Sequence, residues 1–287
     1  MKVGIDSYCF HRFFGEVYPG QEPPEKEMTM DDFLEFAKAL GVDGVSLESC
    51  FFPSFEESYL LELKEKLDAY GFDRVYAWGH PDGLERGQNE KEFKDMCDSI
   101  PRAKLIGAEV MRVCGSSLMF RHEPHEPQIK ALIAQFKEAM VIADEMGIKL
   151  AIENHIDYTA DEILQIIDGV GSPNFGINFD TGNFLRLLDD PIAGMEKLAK
   201  HTFATHIKDL AVNPNARPDD WFFFSGVPVG WGLVDNMKLA KLLKEADYKG
   251  FLAVEIDHPA PEWQGHEKEA VSISVKALKA IAKQLEG

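Results

Sequence analysis

Short apolar, β-branched runs alternate with amphipathic stretches along the whole chain. The first run spans Val3 to Tyr8, and a helix pattern follows in which Phe33, Phe36, Ala37 and Leu40 recur at helical spacing. Thr29 stands where an N-cap belongs, Asp31 and Asp32 fall in the first turn, and Gly41 is placed as the C-cap. Gly44 to Glu48, Arg74 to Trp78 and Glu109 to Val113 predict three further strands. Between and after them, Phe55 to Tyr70, Lys91 to Ile106 and Gln128 to Met146 predict helices, each stopped by a glycine.

The second half keeps the rhythm. Strands are predicted over Lys149 to Glu153, Phe175 to Phe179, Phe203 to Ile207 and Phe251 to Glu255. Helices are predicted over Asp161 to Ile167, Ala193 to Ala199, Met237 to Ala246 and His266 to Leu285. Roughly eight strand-then-helix units are the number that closes a parallel barrel. The expected fold is therefore a single (β/α)8 TIM barrel over residues 1–287, with a long loop at about 210–235 over the carboxyl-end face. The rival, an open doubly wound sheet, usually carries a glycine-rich phosphate turn after an early strand, and none is present.

Composition narrows the function. The 287 residues include 45% hydrophobic side chains, enough for a sizeable core. A formal charge of -19 repels phosphate backbones and argues against nucleic acid as the main partner. No apolar run approaches the length of a membrane span, and the polar start Met1-Lys2-Val3-Gly4-Ile5-Asp6 lacks the apolar core of a signal peptide. A cytoplasmic location is expected. Cys9, Cys50, Cys97 and Cys114 are scattered without a C-x-x-C pair, as in reduced thiols packed near strands.

Functional side chains of a parallel barrel sit at the carboxyl ends of its strands. The last four strands end in Glu153, Asp180, His206 and Glu255. Any one of these alone reads as a solvated strand end or a core histidine. Four in register on consecutive strands read as a site. Three carboxylates meeting on one rim cannot all stay ionised unless something positive lies between them. Three carboxylates and an imidazole suit a hard six-coordinate ion, Mn²⁺ first, with Mg²⁺ or Co²⁺ next. Zinc is less favoured without thiolates or more imidazoles.

These strand ends resemble the xylose-isomerase-like barrel superfamily, which includes sugar phosphate isomerases and epimerases. The matching segments are Ala151-Ile152-Glu153-Asn154-His155, Asn178-Phe179-Asp180-Thr181-Gly182-Asn183, Thr205-His206-Ile207-Lys208-Asp209 and Val254-Glu255. The stretch Val227 to Asp235 resembles the family's glycine-rich loop. The resemblance implies that Glu153, Asp180, His206 and Glu255 hold one metal and that the two glutamates double as acid and base. The chain departs from the family at Asn183, where histidine is common, and at Trp231, where a polar residue is common.

The chemistry expected is proton removal next to a sugar carbonyl, through an enediolate stabilised by the metal. The base is Glu153, Glu255 or His155, the last sharing a strand face with Glu153 by its two-residue step. Lys208 follows His206 by the same step and is a candidate for a substrate oxyanion, with pairing to Asp209 as the plain alternative. His80, Asn183 and Trp231 are candidate substrate contacts, and Glu48 is a weaker one. Arg112 within a strand calls for a carboxylate partner. His11 and Arg12 are expected at the surface, and Trp221-Phe222-Phe223-Phe224 forms either a ligand surface or a strand tucked over the mouth.

The leading reading is a sugar isomerase or epimerase. A competing reading is the metal-binding subunit of a bacterial C-glycoside deglycosylase. There, a Glu-x-His resembling Glu153-Asn154-His155 supplies the base, and proton loss beside a 3-keto sugar expels an aromatic aglycone. The remaining alternatives are a non-catalytic sugar- or partner-binding barrel and the superfamily's endonuclease branch, which the charge argues against. The expected partners are a small sugar or glycoside and a homo- or hetero-oligomeric second subunit.

Overall fold

In the computed structural model, which describes residues 1–214, 216 and 223–286, eight parallel strands close into a barrel. They are β1 (Lys2–Asp6), β2 (Gly44–Glu48), β3 (Asp73–Ala77), β4 (Val110–Cys114), β5 (Lys149–Glu153), β6 (Phe175–Asp180), β7 (Thr202–Ile207) and β10 (Phe251–Val254). The remaining two, β8 (Asp209–Val212) and β9 (Phe224–Val227), form an antiparallel hairpin. The segment expected as one long loop thus contains paired strands, and Phe224 opens one of them. Trp221 and Phe222 lie outside the described residues.

Helices α1 (Met30–Leu40), α2 (Glu57–Tyr70), α3 (Glu90–Leu105), α4 (His125–Met146), α5 (Ala160–Val170), α6 (Asn183–Arg186), α7 (Pro191–Leu198), α8 (Asn236–Glu245) and α9 (Glu267–Glu286) connect the strands. Helix α1 starts where its signals place it. Thr29 and Asp32 form a reciprocal capping box, and Gly41 ends the helix in the left-handed region at φ 62°. No described helix is long and apolar enough to cross a membrane.

The first strand stops earlier than its apolar run. Asp6 Oδ1 accepts the Tyr8 N–H (2.6 Å) and caps a 3₁₀ segment over Ser7–Phe14. That segment folds back, so His11 and Arg12 are buried rather than at the surface. His11 Nδ1 meets the Glu16 carbonyl (2.6 Å), and Arg12 pairs with Glu267 (2.8 Å). Cys9 and Cys114 are buried and Cys50 is exposed, all as free thiols.

Alternation along the strands sorts side chains into two layers. Leu150, Ile152, Ile177, Phe179, Leu252 and Val254 are fully buried in the large apolar core. Ala151, Asn178, Ala204 and Ala253 stand two residues before Glu153, Asp180, His206 and Glu255 and so share their faces. Val75, Ala204, Phe251 and Ala253 form a separate small apolar cluster. The chemistry-bearing residues therefore begin where the inner apolar residues end.

One irregularity sets the height of the histidine. The β6–β7 pairing shifts between Ile177 and Asn178, opposite Thr202 and Ala204, so Phe203 is the extra residue. Without that shift Asp180 would face Thr205, whose side chain points the other way. With it, Asp180 pairs with His206. Gly176 makes the bulge possible, because a Cβ there would lie 2.2 Å from the His201 carbonyl oxygen and 2.8 Å from the Phe203 ring. Gly176→Ala is expected to lower unfolding stability by about 1–3 kcal/mol, the usual cost of overpacking. Urea melts that match wild type would show that this corner yields freely.

Candidate metal centre

The four strand-end residues converge. Glu153, Asp180, His206 and Glu255 are buried, and each offers one ligand atom within 4.8 Å of the others. His206 Nδ1 faces the group, lying 2.8 Å from Glu255 Oε2, 3.5 Å from Glu153 Oε1 and 3.9 Å from Asp180 Oδ2. Its Nε2 turns the other way, to Asp6 Oδ2 at 3.3 Å. Asp6 thus caps the 3₁₀ segment with one oxygen and sets the other opposite the imidazole. Asp180 is oriented by backbone hydrogen bonds, its Oδ1 accepting the N–H groups of Gly182 (2.8 Å) and Asn183 (2.9 Å).

Asn154 fixes the distance between two of the four. Its side-chain amide donates to the Asp180 carbonyl (2.9 Å), and its Oδ1 accepts the Asp180 N–H (2.9 Å). The amide extends the β5–β6 pairing one residue past the end of β5 and ties the residue after Glu153 to Asp180.

Charge around the cluster is arranged in pairs. Arg112, expected to need a carboxylate, meets two: Nη2 bonds Glu48, and Nε lies 3.1 Å from Glu153 Oε2. Lys208 is buried and does not pair with Asp209. Its Nζ lies 2.9 Å from Asp180 Oδ2, 3.2 Å from Glu255 Oε2 and 3.0 Å from Asp257 Oδ2. Arg186 grips Asp257 with two nitrogens at 2.5 and 2.6 Å. Asn183 sits among these groups, donating to Glu153 Oε1 and accepting from Lys208 and Arg186, each at 3.3 Å.

Six buried carboxylates (Asp6, Glu48, Glu153, Asp180, Glu255, Asp257) face three buried arginine and lysine side chains (Arg112, Arg186, Lys208), and even a protonated His206 leaves a surplus of two negative charges. Burial pushes the Asp180 carboxyl up to about 6 against the pull of Lys208, and the charges of Glu255 and Glu153 push the same way. Glu153 goes the other way, because Arg112 and His206 outweigh its burial. His206 is also buried, but Glu255 and Glu153 hold its imidazole well above its ordinary range. Asp180 Oδ2, Glu255 Oε2 and His206 Nδ1 lack a well-directed hydrogen-bond partner among the described residues. Buried donors and acceptors are nearly always satisfied, and these three converge on one point. The donor set fits a divalent cation.

The other candidates scatter. His155 is half-buried, with Nδ1 3.4 Å from the Ser116 carbonyl oxygen, and lies near enough to Glu153 to favour its ionised form. His80 accepts the Asp82 N–H at Nδ1 (3.2 Å) within its own turn. Trp231 is 63% exposed, edge-on to Trp263 at 5.4 Å. Asp209 serves the glycine-rich loop, accepting N–H groups from Gly230, Gly232 and Val234 at 2.8–3.0 Å. Sequence reasoning missed Asp6, Asn154, Arg186 and Asp257. Asp6 carried the same signal as the other four, a carboxylate where an apolar run stops.

The sequence matches the family model "Xylose isomerase-like TIM barrel" over residues 34–281, and the chain belongs to that family. Its relatives include sugar-modifying enzymes. It is 29% identical over 128 residues to the 3-oxo-isoapionate decarboxylase of Pectobacterium atrosepticum, covering 44% of this chain and 46% of that enzyme. The chain thus spans under half of that relative. It is 25% identical over 231 residues to the inosose dehydratase of Clostridium beijerinckii, covering 77% of this chain and 72% of that one. Among solved structures, IolI with a bound zinc atom superposes with a TM-score of 0.76 at 18% identity, over 99% of both chains.

If Asp6 orients His206, Asp6→Asn should weaken Mn²⁺ binding by about 10- to 100-fold in calorimetry while the protein stays folded. Mn²⁺ at about 100 times its Kd should stabilise the wild type by about 2.7 kcal/mol, an increment that a chelator removes. Equal affinity in the variant would rule out the orienting role.

Proposed function

We propose that this chain is a divalent-metal-dependent enzyme that makes an electron-rich carbon beside the carbonyl of a keto sugar or keto polyol. Glu153, Asp180, His206 and Glu255 hold the ion in this reading, with Mn²⁺ favoured by the carboxylate-rich donor set. The zinc atom bound to IolI, which shares this fold, supports a divalent ion in this reading. When bound, such an ion supplies Lewis acidity to the carbonyl oxygen.

The relatives support the class of reaction. Loss of water, loss of carbon dioxide and epimerisation beside a ketone share one feature: charge accumulates on the carbon next to the carbonyl. The surrounding side chains suit that demand. Lys208 and Arg186 lie on one side of the cluster and Arg112 on the other, so new negative charge forms between fixed cations.

The observation that carries the reading is the contact of Arg112 with Glu153. An arginine held against a carboxylate lowers its basicity, so Glu153 serves as a ligand rather than a proton acceptor. Glu255 is held in the same way by His206 and Lys208. The remaining candidate base is His155, which follows Glu153 by two residues. One base on one face fits isomerisation or elimination better than a two-base epimerisation. A second reading, elimination of an aromatic aglycone from a 3-keto C-glycoside, draws on the exposed Trp231, which stands edge-on to the half-buried Trp263.

The test is deuterium exchange in D2O with Mn²⁺-loaded protein, offered D-fructose, an inosose and a 3-keto C-glycoside. Exchange at the carbon beside the carbonyl is expected with at least one. It should fall by about 10²- to 10⁴-fold in His155→Gln with metal content unchanged. Glu153→Gln should lose the metal itself. Release of aglycone selects the second reading, and metal-loaded protein that exchanges nothing is a binding barrel, not this enzyme.

A further inference from the structure

The chain turns sharply straight after His155. Ile156 has φ 58°, in the left-handed region. Of the five non-glycine residues with positive φ among those described, it alone is β-branched. That conformation crowds a branched Cβ against the backbone and persists only where the surroundings enforce it.

The surroundings do enforce it. Asp157 Oδ1 accepts two N–H groups, from His155 (3.0 Å) on one side of Ile156 and from Tyr158 (2.8 Å) on the other. The carboxylate is buried and its second oxygen has no partner among the described residues. Both ends of the turn are anchored. Asn154 is tied through its amide to the backbone of Asp180. Tyr158 is fully buried with its hydroxyl donating to Gln128 (2.9 Å), and Thr159 caps α5 next to it. The three residues 155–157 must therefore join two fixed points, and the strain falls on the middle one. An extended path would carry the chain on past the barrel rim. The reversal leaves His155 Nδ1 3.4 Å from the Ser116 carbonyl oxygen, two residues beyond Glu153 on the same strand end.

We propose that Ile156 and Asp157 form a strained, clamped turn whose role is to hold the His155 imidazole at the metal centre. Both are positioning residues, and the proposal rests on the reading of His155 as the base.

Stability reads the strain without any substrate. Ile156→Ala and Ile156→Gly both remove the buried side chain, but only glycine adopts positive φ freely. At ordinary positions glycine is the less stable of such a pair. Here the order should reverse, with Ile156→Gly melting about 2–4 °C above Ile156→Ala. Placement is read by ¹⁵N NMR of histidine-labelled protein, with the His155 signals assigned by their loss in His155→Gln. They should keep their wild-type shifts in Ile156→Gly and lose them in Ile156→Pro, because proline cannot take positive φ. Ile156→Pro should still bind Mn²⁺, since Glu153 and Asn154 precede the turn. Asp157→Ala, with Asp157→Asn as the conservative rescue, covers the case in which the proline variant does not fold. With any ketose that wild type exchanges, Ile156→Pro should lose about 100-fold in kcat with little change in KM.

Ile156→Ala melting at or above Ile156→Gly overturns the strain. Unchanged His155 signals in a folded Ile156→Pro or Asp157→Ala overturn the positioning. Wild-type protein that exchanges no ketose counts against the function proposed above and leaves these two readouts to decide the turn.

Discussion

A surplus of buried negative charge at the carboxyl end of the barrel constrains everything around it. Six carboxylates and three cations share a space closed to solvent, and none of the nine can move without leaving a partner uncompensated. Arg112 is spent on Glu48 and Glu153, Arg186 on Asp257, and Lys208 on Asp180, Glu255 and Asp257. Lys208 alone stands against Asp180 Oδ2 and Glu255 Oε2, and these oxygens converge with His206 Nδ1 without a well-directed hydrogen bond among the described residues. A divalent cation answers that geometry in a way that rearranged side chains do not, because each neighbouring cation already has its anion.

The barrel serves this arrangement through strand ends rather than loops. Glu153, Asp180 and His206 are the last or nearly the last residues of their strands, and Glu255 follows its strand directly, its N–H bonded to the Ile207 carbonyl (3.2 Å). Positions fixed by ladder hydrogen bonds are held more tightly than loop positions. The bulge at Phe203 and the amide of Asn154 correct what the ladder alone leaves wrong, the first in height and the second in spacing.

Most of the fold was legible because periodicity is a local property. The strand over Lys149–Glu153 and the cap at Thr29 follow from residues within a few positions of each other. The four convergent residues were legible for the same reason, each closing an apolar run. Pairings across the barrel were not. That Lys208 would choose Asp180, Glu255 and Asp257 over its neighbour Asp209 depends on closure, and on the glycine-rich loop having claimed Asp209 first. The burial of His11 and Arg12 likewise depends on the 3₁₀ segment that Asp6 starts and on Glu267, 255 residues away from Arg12. Asp6 itself sat in plain view at the end of the first run. It stands apart in sequence from the run of four consecutive strand ends, and only closure of the barrel brings β1 next to β10.

The two glutamates that the family resemblance pairs as acid and base stand in different surroundings here. Glu153 shares Arg112 with Glu48, and Glu255 lies between His206 and Lys208. Arginine stays protonated at any working pH, so the Glu153 side of the site is permanently damped. A lysine can give up a proton, but Lys208 is held well above its ordinary value by Asp180 and Asp257, which outweigh its burial. Both glutamates are therefore held toward their ionised forms, as metal ligands require. In the function proposed here, the base is instead the imidazole of His155 on the strained turn. Under that proposal a single base would take a proton from one face of a sugar, with no symmetric partner to return it on the other. What leaves the electron-rich carbon then decides the product, and the side chains that touch the departing group, rather than the metal ligands, would set the reaction.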